Sequence, residues 1–294
     1  MRLDLEQAIG LLKQRDPDAT EKAVALLQKA VFAFGMRVCG QREDAEDTMQ
    51  EVLVKAIPYL PKFDNSGALA KWLFKVAKNR CLMNRRKSKF APRQELSLEE
   101  LMPDPNELEQ LDSQSTLNPE SLAIRGEQGQ RLREVIRRLP PHYRIVVVLR
   151  DMEGFTDEEV AEITGLRRGT IRVRLHRGRL FVRRELTRSN DPSAENSTAC
   201  LQKDTVLPSR SRLCRKMFAG LSDYLDGELD DFSCAEIEAH LEDCEPCKKF
   251  LRSLEAAIHS CQQSPSDCPD GQKAAALRKQ LLAAYSRALA TAGK

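Results

Sequence analysis

The sequence predicts an all-α protein of several domains, and three observations carry that prediction. Apolar residues recur at helical spacing, regular β alternation is almost absent, and polar, Pro-bearing stretches near 91–120 and 188–210 divide the chain. At 294 residues the chain is long enough for two or three separate cores. Charged residues make up 31% and aromatics 5%, a soluble composition. No run approaches the roughly 20 apolar residues that cross a bilayer. The opening MRLDLEQAIG lacks the apolar segment of a secretory signal, so a cytoplasmic protein without a membrane partner is expected.

A net charge of +3 conceals two basic blocks around an acidic one. Between Asp64 and Glu95 there is no acid, but nine lysines and arginines from Lys71 to Arg93. Between Glu162 and Glu185 there is again none, but eight arginines from Arg167 to Arg184. The connector between Arg93 and Arg125 carries Glu95, Glu99, Glu100, Asp104 and further acids, with no base. Acid-free arginine runs repel themselves unless a polyanion neutralises them.

Each element follows from its period. EDAEDTMQEVLVKAI places Ala45, Met49, Val52 and Ala56 on one helical face, with Asp44, Asp47, Gln50 and Glu51 opposite. Such an acidic face suits docking on a basic surface. KWLFKVAKNRCLMNRRKSK sets Trp72, Leu73, Val76, Ala77 and Leu82 inward and Lys71, Lys75, Lys78 and Arg85 along its other side, which suits phosphate tracking. YRIVVVLRDMEG resembles a strand in composition, yet Ile145, Val148, Leu149 and Met152 keep the helical period, so a buried helix is expected. A short helix is expected near 97–102 within the acidic connector.

FTDEEVAEITGLRRGTIRVRLHRGRL begins with a capping box, Thr156 followed by Glu159. Ala161, Gly165 and Ile171 then have the spacing of a helix-turn-helix: a small residue for close approach, a glycine for the turn, a β-branched residue packing from the second helix. The N-terminal residues of that second helix meet base edges in the major groove. Here they are Arg167, Arg168, Thr170, Arg172 and Arg174, with Arg177 and Arg179 directed at phosphates.

Most of the nine cysteines lie after residue 199, a clustering that reads as metal ligation or thiol chemistry rather than a disulfide framework. HLEDCEPC puts His240, Cys244 and Cys247 at H-x3-C-x2-C, and Cys214 is available as a fourth ligand for tetrahedral zinc, with Cys234 as a competitor. The region around them reads as two short helices about a Gly227 break, followed by a lone amphipathic helix near the end. A redox dithiol at Cys244 and Cys247 would sit in a βαβ pattern, which is not visible. No phosphate-binding glycine loop, paired catalytic carboxylates or nucleophile–histidine arrangement appears, so a binding protein rather than an enzyme is expected.

Taken in order, REDAEDTMQEVLVKA, ALAKWLFKVAKNRCLMNRRK and LPPHYRIVVVLRDMEGFTDEEVAEITGLRRGTIRVRLHRGR resemble the bacterial extracytoplasmic-function sigma factors over about residues 20–187. The resemblance implies a polymerase subunit that directs promoter-specific initiation, with core RNA polymerase and promoter DNA as partners. It implies that residues 1–92 form a region 2-like domain, 93–128 an acidic linker, and 129–187 a region 4-like domain that reads a −35 element. Asp44, Asp47, Gln50 and Glu51 would meet the polymerase clamp. Phe63, Asp64 and Asn65 would hold a flipped −10 base, beside Lys71, Lys75, Lys78, Asn79, Arg85 and Arg86, with Trp72 assigned to core packing. Met83 departs from a frequent aspartate, and Arg167 from a serine or proline cap. A second linker spans 188–210. Residues 211–256 resemble the zinc-binding domain of anti-sigma factors, with ligand positions at Cys214, His240, Cys244 and Cys247, and 257–294 form a tail. Fusion would make inhibition or sensing of redox or metal intramolecular. A helix-turn-helix repressor or activator outside the polymerase is the alternative, but it needs neither the first basic helix nor the acidic face.

Overall fold

The computed structural model describes residues 2–14, 16–86, 95–103, 122–187 and 212–292, and every regular element among them is helical. The chain forms two compact units, one of Met1–Gln94, Ile136–Ile171 and Gln262–Lys294, the other of Glu95–Val135 and Arg172–Cys261. These divisions cut across the linear domains expected from the sequence, because the end of the chain folds with its beginning. No described helix is long and apolar enough to cross a membrane.

In the first unit, α1 (Arg2–Lys13), α2 (Pro17–Cys39), α3 (Arg42–Ala56) and α4 (Ser66–Arg86) pack on one another. Asp16 starts α2 by accepting the Ala19 amide at 2.9 Å, with proline at the first helical position where no amide is needed. Gly35 lets α2 approach α3, since a Cβ there would lie 3.2 Å from the Ala45 backbone. A 3₁₀ turn, Ile57–Lys62, links α3 to α4, which starts where Asn65 Oδ1 accepts the Ala68 amide at 2.7 Å. Phe34 stacks on Phe74 with ring centroids 4.5 Å apart.

The hydrophobic run that resembles a strand is helical, as α7 (Pro141–Val147) continued by a π turn, Val148–Met152. Ile145 through Leu149 are all buried, and burial on every side explains why apolar residues also fill the positions between those of the helical period. Phe155 follows it and meets the Phe74 ring edge-on at 5.5 Å. Arg37 of α2 donates to the buried Glu153 at 2.7 Å. Then come α8 (Asp157–Thr164), which packs on α4, and the start of α9 (Arg168–Thr187). The final helix, α13 (Gly271–Ala292), is not a lone helix: it packs on α2, α3 and the 3₁₀ turn.

The second unit contains α5 (Leu98–Leu101), most of α6 (Leu122–Arg138), the body of α9, and α10 (Arg212–Leu225), α11 (Asp231–Asp243) and α12 (Glu245–Gln262). Where two short helices were expected around Gly227, three are present, and α12 runs past residue 256. Glu245 and Pro246 restart a helix at once after Cys244, whose non-helical backbone ends α11. Met217, Phe218, Leu221, Ile237, Phe250 and Leu254 form the core, joined by Leu180 of α9 and by Leu101. Leu101 therefore anchors a segment that composition alone marks as linker. Phe218 and Phe250 meet edge to face at 4.7 Å.

Candidate nucleic-acid interface and metal centre

The helix-turn-helix is built from its local signals. Thr156 Oγ1 accepts the Glu159 amide at 3.3 Å, and Glu159 Oε2 accepts the Thr156 amide at 3.0 Å, closing the capping box at the start of α8. Gly165 ends α8 with φ +75°, a left-handed conformation natural to glycine. Ile171 is fully buried behind the turn. Arg167 and Arg168 are exposed and Thr170 half-buried, with Arg168 paired to Glu158 at 2.8 Å.

Further along α9, Arg172, Arg179 and Arg183 are engaged. Arg172 pairs with Glu228 of the α10–α11 turn. Arg174 and Arg177 are half-buried. Arg179, expected on phosphates, is instead buried against the α10 end. Its guanidinium donates to both Asp226 oxygens at 2.8 and 2.9 Å and to Ser222 Oγ at 2.7 Å. Arg183, also buried, lies over the Phe250 ring at 4.2 Å and donates to Ser253 Oγ at 2.8 Å. Sequence reasoning passed over Asp226 and Glu228, although DGELDD sets an acidic cluster that complements the arginine helix.

On α4, Lys75 and Asn79 are exposed, as are Asp64 and Asn65 just before it, while Phe63 is half-buried. Lys71 pairs with Glu162 at 2.6 Å. Lys78 does not lie on the open side: it is buried and donates to the Ile163 and Thr164 carbonyls at 3.0 and 3.4 Å, at the C-terminal end of α8. Those carbonyls carry the negative end of the α8 dipole and suit an ammonium. Burial nonetheless lowers the Lys78 pKa. Arg85 and Arg86 fall in the last turn of α4, where only the backbone is described. Trp72 is half-buried rather than in the core, and packs beside Phe63 and Tyr59 with centroids 6.2 Å apart in each case. An aromatic platform thus adjoins the loop assigned to a base.

The four residues expected to dock lie on or beside the solvent side of α3. Asp47 and Gln50 are exposed, and Asp44 is half-buried. Glu51 is drawn into pairs with Lys55 at 2.7 Å and Arg80 at 2.8 Å, and the hydrogen bond from Lys55 lowers its pKa.

Cys214, His240, Cys244 and Cys247 place their ligand atoms within 4.8 Å of one another. His240 Nε2 lies 3.7 Å from Cys214 Sγ and 3.3 Å from Cys247 Sγ. Ligands on a tetrahedral zinc stand roughly 3.5–3.8 Å apart, so this donor set fits the ion. Cys234 remains a separate free thiol. Burial, followed by a hydrogen bond with Cys244, pushes the Cys247 thiol far up, so without a cation the cluster is protonated there. Zinc held there would favour the thiolate and displace that proton.

One cysteine pair was not foreseen. Cys39 at the end of α2 and Cys81 on α4 form a disulfide with Cα atoms 5.2 Å apart. Both are buried, and the usable signal was their place on inward helical faces.

A helix-turn-helix, a second basic helix with an aromatic platform and an acidic exposed helix define a DNA-binding protein of the transcription machinery. The Sigma-70 region 2 family matches residues 23–90, Sigma-70 region 4 matches 129–182, and a zinc-finger family matches 221–248. The last match begins after Cys214. The ECF RNA polymerase sigma factor SigW of Bacillus subtilis is 27% identical over 186 residues, covering 63% of this chain and 98% of that protein. SigE of Mycolicibacterium smegmatis is 29% identical over 168 residues, 57% of this chain and 61% of that protein. The ECF RNA polymerase sigma-E factor of Escherichia coli K12 is 31% identical over 144 residues, 46% of this chain and 70% of that protein. The chain belongs to the ECF sigma factors of RNA polymerase, and it carries a zinc-finger-type domain after its sigma regions. It is an initiation factor, not an enzyme.

Proposed function

We propose that this sigma factor directs promoter-specific initiation under the control of its own zinc domain. Arg167, Arg168, Thr170, Arg172, Arg174 and Arg177 read a −35 element. Phe63, Asp64 and Asn65 hold a −10 base, while Lys71, Lys75, Asn79, Arg85 and Arg86 follow the adjoining phosphates. Asp44, Asp47, Gln50 and Glu51 dock on core polymerase. Zinc on Cys214, His240, Cys244 and Cys247 fixes α10, α11 and α12 against each other.

The observation that carries the regulatory reading is the pairing of Arg172 with Glu228 and of Arg179 with Asp226. An arginine engaged by a carboxylate is withdrawn from phosphate, and a tether makes even a weak contact effective. Loss of the metal, by chelation or by oxidation of the thiolates to a disulfide, loosens the three helices that hold those carboxylates in place. The zinc domain then acts as a releasable guard on the recognition helix.

Transcription by core polymerase supplemented with the full chain tests this, alongside a chain lacking residues 205–294. The shortened chain is expected to initiate more strongly and independently of redox state or chelator. If deletion left promoter-directed transcription unchanged under every redox and metal condition, the regulatory reading would fail.

A further inference from the structure

The open side of α9 carries a residue that the function proposed above does not use. Val54, Tyr59, Val173 and Phe232 are the large apolar side chains exposed among the described residues, and of these only Val173 belongs to the helix-turn-helix. It is 51% exposed, on a helix where Ile171, Leu175, Leu180 and Val182 are almost wholly buried.

Neither local structure nor packing selects valine there. A β-branched residue is a weaker helix former than alanine or arginine, and a side chain left in water gains nothing from burial. Its surroundings are basic. Arg172 and Arg174 flank it along the chain, Arg177 follows one turn later on the same side, and no acid occurs between Glu162 and Glu185. An apolar group set among arginines suits a polyanion that also displays an apolar group.

Gly169 lies one turn before Val173 on that same side of the helix. A Cβ at Gly169 would meet nothing within 4 Å, and the residue has no positive φ. Packing and turn geometry therefore do not require glycine, which weakens a helix. What it permits is close approach of the α9 backbone to a ligand. Val173 needs that approach, because its side chain is far shorter than those of the arginines around it.

We propose that Val173 reads a thymine of the −35 element through the C5-methyl group of that base. The inference deepens the reading of α9 as the −35 helix and rests on it. The chemistry excludes the other base atoms. Valine has neither donor nor acceptor, so it cannot recognise the nitrogens and oxygens displayed in the major groove. The thymine methyl is the apolar group that the groove presents. Val173 thus discriminates at one position by contact alone, while the arginines beside it act on guanine or phosphate.

The test uses holoenzyme made from core polymerase and the full chain, which selects templates from a pool randomised over the −35 region. One position is expected to recur as thymine, on either strand. Deoxyuridine then replaces that thymine, removing the methyl and keeping the base pair. Initiation at limiting holoenzyme is expected to fall roughly fourfold, the effect of one methyl-sized group withdrawn from contact. Val173→Ala, an exposed change to a better helix former, is expected to initiate equally on the two templates. Val173→Thr keeps a methyl on its Cβ and stays sensitive to deoxyuridine. A selected −35 sequence without a thymine would overturn the inference and leave α9 as the −35 reader. So would deoxyuridine acting equally, or not at all, on the unaltered chain and Val173→Ala. Selection of no −35 sequence by any of the three chains would overturn the reading of α9 itself, and the inference with it.

Discussion

Arg179 and Asp226 meet as a two-pronged pair, Nη1 2.8 Å from Oδ2 and Nη2 2.9 Å from Oδ1, with the arginine almost wholly buried. The arginine belongs to α9, the second helix of the helix-turn-helix, and the aspartate to the turn between α10 and α11. A buried pair of this kind contributes little over an apolar substitute, but losing one partner is costly. Stability alone therefore gives little reason for the pair, which is the contact the proposed guard requires.

Replacing Asp226 with alanine leaves Arg179 buried without its carboxylate. The expected cost is about 3 kcal/mol to the second unit, measured by urea unfolding. Affinity for −35 DNA is expected to rise at the same time, with a steeper salt dependence as arginines are freed for phosphates. A destabilised protein with unchanged DNA affinity contradicts the guard.

Metal content gives a second prediction. The zinc-loaded chain holds close to one ion, and Cys244→Ser loses it under competition with a chelator. Since burial pushes the Cys247 thiol up, zinc uptake releases protons, and apparent affinity falls as pH is lowered. Metal titrations at two pH values with a proton-sensitive dye check this. A pH-independent affinity contradicts the thiolate site.

His176 supplies a pH test of folding. Burial first, then the neighbouring Arg179 and Arg177, lowers its pKa to about 4. The unfolded histidine titrates near 6.5, so between about 6.5 and 4 the unfolded chain holds more protons. Stability is therefore complete above that window and falls as pH drops through it, by about 3 kcal/mol in all. His176→Leu removes this contribution, and unfolding at pH 7 and pH 5 should show a slope shallower by about 2 kcal/mol. Parallel slopes for the two proteins contradict it.

The Cys39–Cys81 bond closes a loop with a sequence separation of 42. Chain-entropy reasoning gives it up to about 4 kcal/mol. Dithiothreitol is expected to lower the stability of the first unit accordingly, and Cys39→Ser to remove the response. Equal stability with and without reductant contradicts a bond that matters to the fold.

Much of the fold and of the metal set was legible because local chemistry decides them. The capping box at Thr156 and the left-handed Gly165 fix the helix-turn-helix from within nine or ten residues, and His240, Cys244 and Cys247 are neighbours along the chain. Cys214 was reachable because a tetrahedral ion needs a fourth ligand. What stayed hidden depends on distant encounters. Lys78 reads as one more base on an open face until the end of α8 covers it. Arg179 reads as a phosphate contact until Asp226 arrives from 47 residues away. The amphipathic stripe of α13 declared that something must cover it, but no local rule named α2 and α3.

The most direct measurement is promoter-specific initiation by purified core polymerase on a pool of randomised promoter templates, with the full chain and with Asp226→Ala. Discrete start sites downstream of one recurring −35 and −10 pair are expected with both proteins, with a higher yield from the variant at limiting protein. Initiation no more specific than that of core polymerase alone, with either protein, would contradict the account.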